Sequence, residues 1–290
     1  MTSRREFFVL SGTTLAAMSL PARAENAVDD ARGGKITQIR NATLRIEYGG
    51  VRFLVDPMLS ERHSWPGFEG TVNSQERNSL VHLPFPIEDI VDVDAVIVTH
   101  LHEDHWDKSA QRIVPKSMPI FSQNDEDATI IRSQGFEDVR VLSKTSSFQN
   151  VQLIRTNGRH GTDEAYAVAG HVLGSVCGVV FKKDKHNTVY LAGDTIWNTD
   201  VAEVLDEYQP QYAILNAGDA KLAGLDDGII MGAADVLEVH RASPGTILVA
   251  SHMEAVNHCV LTRAELRKFA RDEGFSDMLI VPADGQTINI

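Results

Sequence analysis

Three apolar runs in this chain each stop at a residue able to bind a metal, and that coincidence constrains the fold more than any other feature. Ala95-Val96-Ile97-Val98 runs into Thr99-His100-Leu101-His102-Glu103-Asp104-His105. Thr188-Val189-Tyr190-Leu191-Ala192-Gly193 runs into Asp194, and Thr246-Ile247-Leu248-Val249-Ala250-Ser251 into His252. Side chains alternate along an extended chain, so His100 and His102 leave the first strand on one side, and the turn that follows brings Asp104 and His105 to a second position nearby. In an α/β layer structure the loops at one end of a set of strands converge, which lets Asp194 and His252 join that cluster. Asn157-Gly158-Arg159-His160-Gly161, after the strand-like Val151-Gln152-Leu153-Ile154, offers one more imidazole among glycines that let the backbone approach closely. Paired imidazoles suit zinc, manganese or iron, and the added carboxylates leave room for a second ion.

The pattern resembles the metallo-β-lactamase superfamily, whose signature is His-x-His-x-Asp-His, then a distant His, an Asp in a Gly-Asp-Thr context and a last His. The likeness runs from about Ile36 to the C-terminus. It implies an α/β protein built as a four-layer αββα sandwich, the metallo-β-lactamase fold. It also implies two divalent metal ions, zinc in first place and manganese or iron otherwise. By the same resemblance His100, His102 and His160 hold one ion, Asp104, His105 and His252 hold the other, and Asp194 bridges them. Two metals sharing one water lower its pKa towards ~7, so the expected reaction is hydrolysis by a metal-bound hydroxide. Asp194 would fix the spacing of the ions, and Asp104 would also move a proton. Antibiotic-hydrolysing members carry a cysteine near the second metal where Asp194 stands here, which argues against β-lactams as substrates.

The flanking segments Phe53-Leu54-Val55-Asp56-Pro57-Met58-Leu59-Ser60 and His105-Trp106-Asp107 narrow the likeness further. They are similar to the branch containing the ascorbate-6-phosphate lactonase-like proteins and the N-acyl-phosphatidylethanolamine-hydrolysing phospholipase D. That branch implies cleavage of an ester-type bond in a small-molecule substrate, a lactone or carboxylic ester ahead of a phosphodiester. A phosphodiesterase of the same fold and a non-catalytic metal-binding protein are the alternatives. A di-iron protein that reduces oxygen or nitric oxide uses a similar cradle, usually with a flavin partner domain that is not visible in this sequence.

Ser3-Arg4-Arg5-Glu6-Phe7-Phe8 resembles a twin-arginine export motif, followed by a short apolar stretch to Leu20 and the small-x-small pattern Ala22-Arg23-Ala24. Residues 1–24 are therefore expected to be a removable signal. The partner it implies is the twin-arginine machinery, with membrane contact during export alone and a periplasmic or secreted product. Residues 25–290 have no linker, repeat or low-complexity tract, and are expected to form one hydrolase domain. A net charge of −13 supplies no basic stripe for a phosphate backbone, which disfavours nucleic acid. Oligomeric state is not readable.

Glycine, proline and capping signals mark several elements. Ala42–Tyr48 and Val51–Val55 predict a hairpin turning at Gly49-Gly50, and Asp125–Gln134, between Asn124 and Gly135, predicts a helix. Helices are also predicted over Asp200–Tyr208, Gly232–Arg241 and Thr262–Asp272, the last with a Thr262/Glu265 capping box and a Gly274 stop. Strands at Ala213–Leu215, Ile247–Ala250 and Met278–Val281 interleave with them. Cys177 and Cys259 are expected as separate packed thiols rather than a disulfide. Asp56 and Asp107 are each expected either to accept the outer N–H of a ligating His or to serve as an ordinary turn or helix-cap residue. His258 is expected as a pocket or structural residue, while His63, His82, His171, His186 and His240 are background. The segment Met58–Phe85, with Trp65, Phe68 and several prolines, is expected to wall the pocket, and with Trp106 to make it partly apolar.

Overall fold

The computed structural model describes Met1 and residues 33–290; apart from Met1, the expected signal over residues 1–24 lies outside them. Two seven-stranded sheets pack face to face. The first contains β1 (Lys35–Arg40), β2 (Thr43–Tyr48), β3 (Val51–Val55), β4 (Ala95–Val98), β5 (Ile120–Ser122) and β6 (Val139–Val141). The second contains β7 (Ser146–Phe148), β8 (Val151–Asn157), β9 (Cys177–Lys182), β10 (Val189–Leu191), β11 (Tyr212–Asn216), β12 (Ile247–Ser251) and β13 (Leu279–Ile280). The chain then returns as β14 (Thr287–Asn289) to the edge of the first sheet, beside β1. The helices are α1 (Ile87–Ile90), α2 (Lys108–Ile113), α3 (Asp125–Ser133), α4 (Asp163–Leu173), α5 (Thr199–Tyr208), α6 (Ala233–Ala242) and α7 (Arg263–Asp272).

Period-two alternation explains the layering. In β4, Ala95 and Ile97 face the second sheet and join Phe53, Phe121, Phe181 and Leu191 in the inter-sheet core. Val96 and Val98 face outward and pack with Ala110 and Ile131 of α2 and α3. On the far side Tyr190, Leu215 and Leu248 meet Val201, Val236 and Leu266 of α5, α6 and α7. The result is the expected four-layer αββα sandwich. Cys177 lies in the inter-sheet core, and both cysteines are free thiols.

Strand direction places the site. β3, β4 and β5 run parallel, as do β10, β11 and β12, and β8 is antiparallel to β9, which is antiparallel to β10. The C-terminal ends of β3, β4, β8, β10, β11 and β12 therefore open on one edge of the sandwich. The predicted hairpin, α3 and α7 with its capping box are all present, and α5, α6, β11 and β12 differ from expectation by a residue or two. The strand expected at Met278–Val281 shrinks to Leu279–Ile280, preceded by a 3₁₀ turn.

Two expectations are corrected. Trp106 is not part of a cleft: it is buried beneath the first sheet against Phe136, its indole N–H donating to Gln134 Oε1 at 2.9 Å. Asp107 is the N-cap of α2, accepting from Ala110 N at 2.6 Å, and its other oxygen accepts from Ser60 N and Ser60 Oγ. No imidazole is among its partners, so the cap reading holds and the outer-acceptor reading falls.

Candidate metal centre

The seven expected ligand residues meet at the common strand edge. His100, His102, Asp104 and His105 follow β4, His160 follows β8, Asp194 follows β10 and His252 follows β12. Their ligand atoms form three mutually close groups: His100, His102 and His160; His100, His105 and Asp194; and Asp104, His105 and His252. Asp194 Oδ2 lies at the middle, 3.1 Å from His105 Nε2, 3.6 Å from His160 Nε2, 3.7 Å from His252 Nε2 and 3.8 Å from His100 Nε2. Asp104 Oδ2 sits 3.1 Å from His252 Nε2 on one side.

Backbone geometry aims these side chains. Gly193 has φ +71° and its α-carbon is so close to β9 that a Cβ would fall 2.3 Å from the Cys177 carbonyl oxygen, so glycine alone lets β10 turn Asp194 inward. His252 itself holds φ +57° and Asp56 φ +45°, left-handed conformations that non-glycine residues adopt at a cost of about 1–3 kcal/mol and that cluster at functional sites. The His252 amide donates to Asn41 O at 3.0 Å, tying β12 to the β1–β2 turn.

The outer nitrogen of each imidazole has an acceptor in reach, which leaves the inner nitrogen as a lone pair. His105 Nδ1 donates to Asp56 Oδ2 at 2.9 Å, His160 Nδ1 to Ile229 O at 2.8 Å and His102 Nε2 to Val172 O at 2.8 Å. His100 Nδ1 faces Thr99 Oγ1 at 3.2 Å, and that hydroxyl passes its own proton to Asp56 Oδ2. His252 Nδ1 faces the Cys259 sulfur at 3.4 Å. This orientation is how ligating histidines are held, with the metal-facing nitrogen unprotonated. Five inner nitrogens and two carboxylates without intervening cations form a donor set that suits borderline divalent ions. Asp56 thus takes the outer-acceptor role.

Charge follows from the same crowding. Burial pushes His105 down, but Asp194, Asp56 and Asp104 outweigh it and raise the metal-free imidazole to about 10. Burial pushes Asp104 and Asp194 up, yet the imidazolium of His105 and the ring of His252 hold both well below the usual carboxylate range. His160 is lowered to about 4, chiefly by burial.

Sequence reasoning missed two asparagines. Asn216, at the end of β11, donates from Nδ2 to Asp194 Oδ1 at 2.7 Å and so turns the other oxygen to the imidazoles. The same signal that found the ligands, a polar residue ending an apolar strand, points to it. Asn41, fully buried in the β1–β2 turn, donates from Nδ2 to Asp104 Oδ2 at 3.3 Å, and no sequence signal marks it.

A cavity of about 400 Å³ opens onto the centre, with His102, Asp104, His160 and Asp194 in its floor. Phe68, Gly70 and Thr71 of the Met58–Phe85 segment form one wall, as expected. Val168, Val172 and Leu173 of α4, with Leu222 and Ile229, form the rest, so the walls are largely apolar. His258 lines the cavity, and His171, taken as background, also stands on its wall.

A family profile described as beta-lactamase superfamily domain matches residues 51–253. The chain is 42% identical to the UPF0173 protein YddR of Bacillus subtilis (strain 168), over 87% of this chain and 98% of that protein. Among solved structures, the isothiocyanate hydrolase from Delia radicum gut bacteria is 47% identical with a TM-score of 0.85, covering 88% of this chain and 98% of that one. A possible metal-dependent hydrolase from Veillonella parvula DSM 2008 is 42% identical with a TM-score of 0.86 and the same coverage.

Proposed function

From the premise that this chain belongs to the UPF0173 metal-dependent hydrolases of the beta-lactamase superfamily, we propose that it hydrolyses a small, uncharged, largely apolar electrophile, an isothiocyanate in first place. The observation that carries the substrate class is the cavity: apolar walls of Phe68, Val168, Val172, Leu222 and Ile229 lead to a floor of imidazoles and carboxylates. Such walls accept a hydrocarbon tail, and no lysine or arginine stands among the described lining residues to neutralise a phosphate. The isothiocyanate hydrolase at 47% identity supports the choice within that class. A carboxylic ester or lactone, which the likeness to the lactonase branch implies, is the second reading, favoured by the same largely apolar walls.

His100, His102 and His160 would hold one divalent ion and Asp104, His105 and His252 the other, with Asp194 between them; zinc is the first assignment, manganese or iron the next. Bound there, such ions supply Lewis acidity and a water activated at neutral pH. The chain's own residues do the rest. Asn216 and Asn41 orient the two carboxylates, Asp56 and the Ile229 and Val172 carbonyls fix the imidazole tautomers, and the apolar walls exclude bulk water from the reacting carbon. Asp104 borders both cluster and cavity, and its carboxylate is assigned to carry a proton between water and substrate. For an isothiocyanate the elements of water add across the carbon–nitrogen bond to give a thiocarbamic acid. Transfer of its remaining acidic proton to nitrogen and cleavage of the carbon–nitrogen bond release an amine and carbonyl sulfide. We assign the work to an exported protein whose signal is residues 1–24.

The test is a panel of aryl and alkyl isothiocyanates, lactones, carboxylic esters and phosphodiesters with the metal-loaded protein. Isothiocyanates should give the highest kcat/KM, and turnover confined to phosphodiesters would overturn the assignment.

A further inference from the structure

Two imidazoles on the cavity wall stand outside the ligand pattern, the exposed His171 and His258, and His258 is the buried one, only 6% exposed. Neither of its ring nitrogens has a protein hydrogen bond, and Nδ1 is sealed from the cavity without a partner. Nε2 is the nitrogen left at the cavity surface. A buried N–H without an acceptor is rarer and costlier than a lone pair without a donor. The neutral ring therefore keeps its proton on Nε2, facing the cavity.

The ring is also held in place. Phe68 packs edge-on against it, with centroids 4.9 Å apart and planes at 77°. Its carbonyl accepts from Lys221 N at 3.0 Å. The preceding residue, Asn257, is clamped on every polar group: its side chain accepts from Phe68 N and Asn78 Nδ2 and donates to Thr71 Oγ1 and Val72 O, while its amide donates to Asn78 Oδ1. A donor fixed in this way loses little on meeting a substrate atom, which is what transition-state stabilisation requires.

We propose that His258 is a substrate-contacting residue whose Nε2–H donates a hydrogen bond to the heteroatom that gains charge as water adds: the sulfur or nitrogen of an isothiocyanate, or the carbonyl oxygen of an ester. This rests on the proposed hydrolysis of an uncharged electrophile, yet it assigns a role to a residue that binds no metal.

The experiment has two arms. In the first, ¹⁵N-histidine NMR of the wild-type holoenzyme reads the tautomer without any substrate: His258 should carry its proton on Nε2, and a proton on Nδ1 overturns the proposal. In the second, His258→Leu and His258→Gln are compared with wild type on whichever substrate the panel selects, with ions counted by elemental analysis. Loss of one such donor lowers kcat/KM by about 10²–10³-fold, so His258→Leu should fall by that factor at unchanged metal content, and His258→Gln, which keeps an N–H, should recover to within about tenfold of wild type. Equal activity in the two variants, or loss of metal in both, overturns it. If isothiocyanates are not turned over but an ester is, the substrate assignment fails while both arms still decide the role of His258.

Discussion

Asp56→Asn changes no volume and removes one acceptor from a carboxylate that uses both oxygens. Oδ1 accepts from Thr99 N at 2.7 Å, while Oδ2 accepts from Thr99 Oγ1 at 2.8 Å and His105 Nδ1 at 2.9 Å. The Thr99 amide proton cannot move, so the new carbonyl turns towards it and the new NH₂ faces His105 Nδ1. Two facing donors force the His105 proton onto Nε2, the nitrogen that lies 3.1 Å from Asp194 Oδ2 and 3.1 Å from His252 Nε2. That proton occupies the lone pair an ion needs. Loss of such an outer partner weakens metal binding by about 10–100-fold, which corresponds to about 1.4–2.7 kcal/mol. Competition against a chromophoric chelator, with ions counted by elemental analysis, measures the change. One site should weaken by that factor, with far-ultraviolet circular dichroism unchanged. Wild-type affinity at both sites would refute the orientation argument, because it would mean that His105 does not depend on Asp56 for its tautomer.

Chelated protein should be most heat-stable near pH 6.5. Below that, the unfolded chain binds a proton that His160, lowered to about 4, refuses, so stability falls with acid; above it, His105, raised to about 10, keeps a proton that the unfolded chain gives up, so stability falls with base. Melting curves from pH 4 to 10 that rise steadily in either direction would contradict these shifts. Arg40→Met should destabilise by roughly 3 kcal/mol or more, since the buried guanidinium donates to the carbonyls of Val81, Met58 and Ser60 and its loss leaves them unpaired; a urea midpoint equal to wild type would count against that. His102→Ala should remove most activity without unfolding the chain, because the sandwich has its own apolar core, and circular dichroism beside turnover checks both halves. Replacing Arg4 and Arg5 by Lys should retain the protein in the cytoplasm with its N-terminus uncut, whereas the exported form should begin near Glu25, as N-terminal sequencing will read.

The ligand-bearing half of the site was legible because its information is local. Val96-Ile97-Val98 and Leu248-Val249-Ala250 are buried strands whose apolar runs name them, and each ligand is the residue that ends or follows such a run. Capping chemistry made α3 and α7 readable for the same reason. The cavity wall was less so. α4 carries Tyr166, Val168, Gly170 and Val172, a mixture with poor helix propensity, and it leaves Val168 and Val172 62% and 58% exposed at the cavity mouth, so no buried stripe advertises it. Trp106 misled because proximity in sequence to His105 says nothing of direction: the turn sends the imidazole to the centre and the indole under the sheet.

The two halves are also built by different forces, and this explains why the chemistry was easier to infer than the substrate. The cradle is fixed by strand ends that the inter-sheet core holds in register, so any sequence that keeps that core keeps the ligands converging. The wall is fixed by single polar side chains reaching across the chain: Asn257 to Asn78, 179 positions away, and Arg40 to the carbonyls of Met58 and Ser60. Several of those bonds end on backbone atoms, which every residue type supplies. The side chains of Glu69 and, opposite it, of Val168 and Val172 in α4 make none of those bonds and can vary without loosening the clamp, whereas Thr71 Oγ1 accepts from Asn257 Nδ2 and the Phe68 ring packs on His258. A wall held firmly yet variable at those positions would let one metal cradle take different electrophiles, with the proposed donor His258 carried on the same clamped segment.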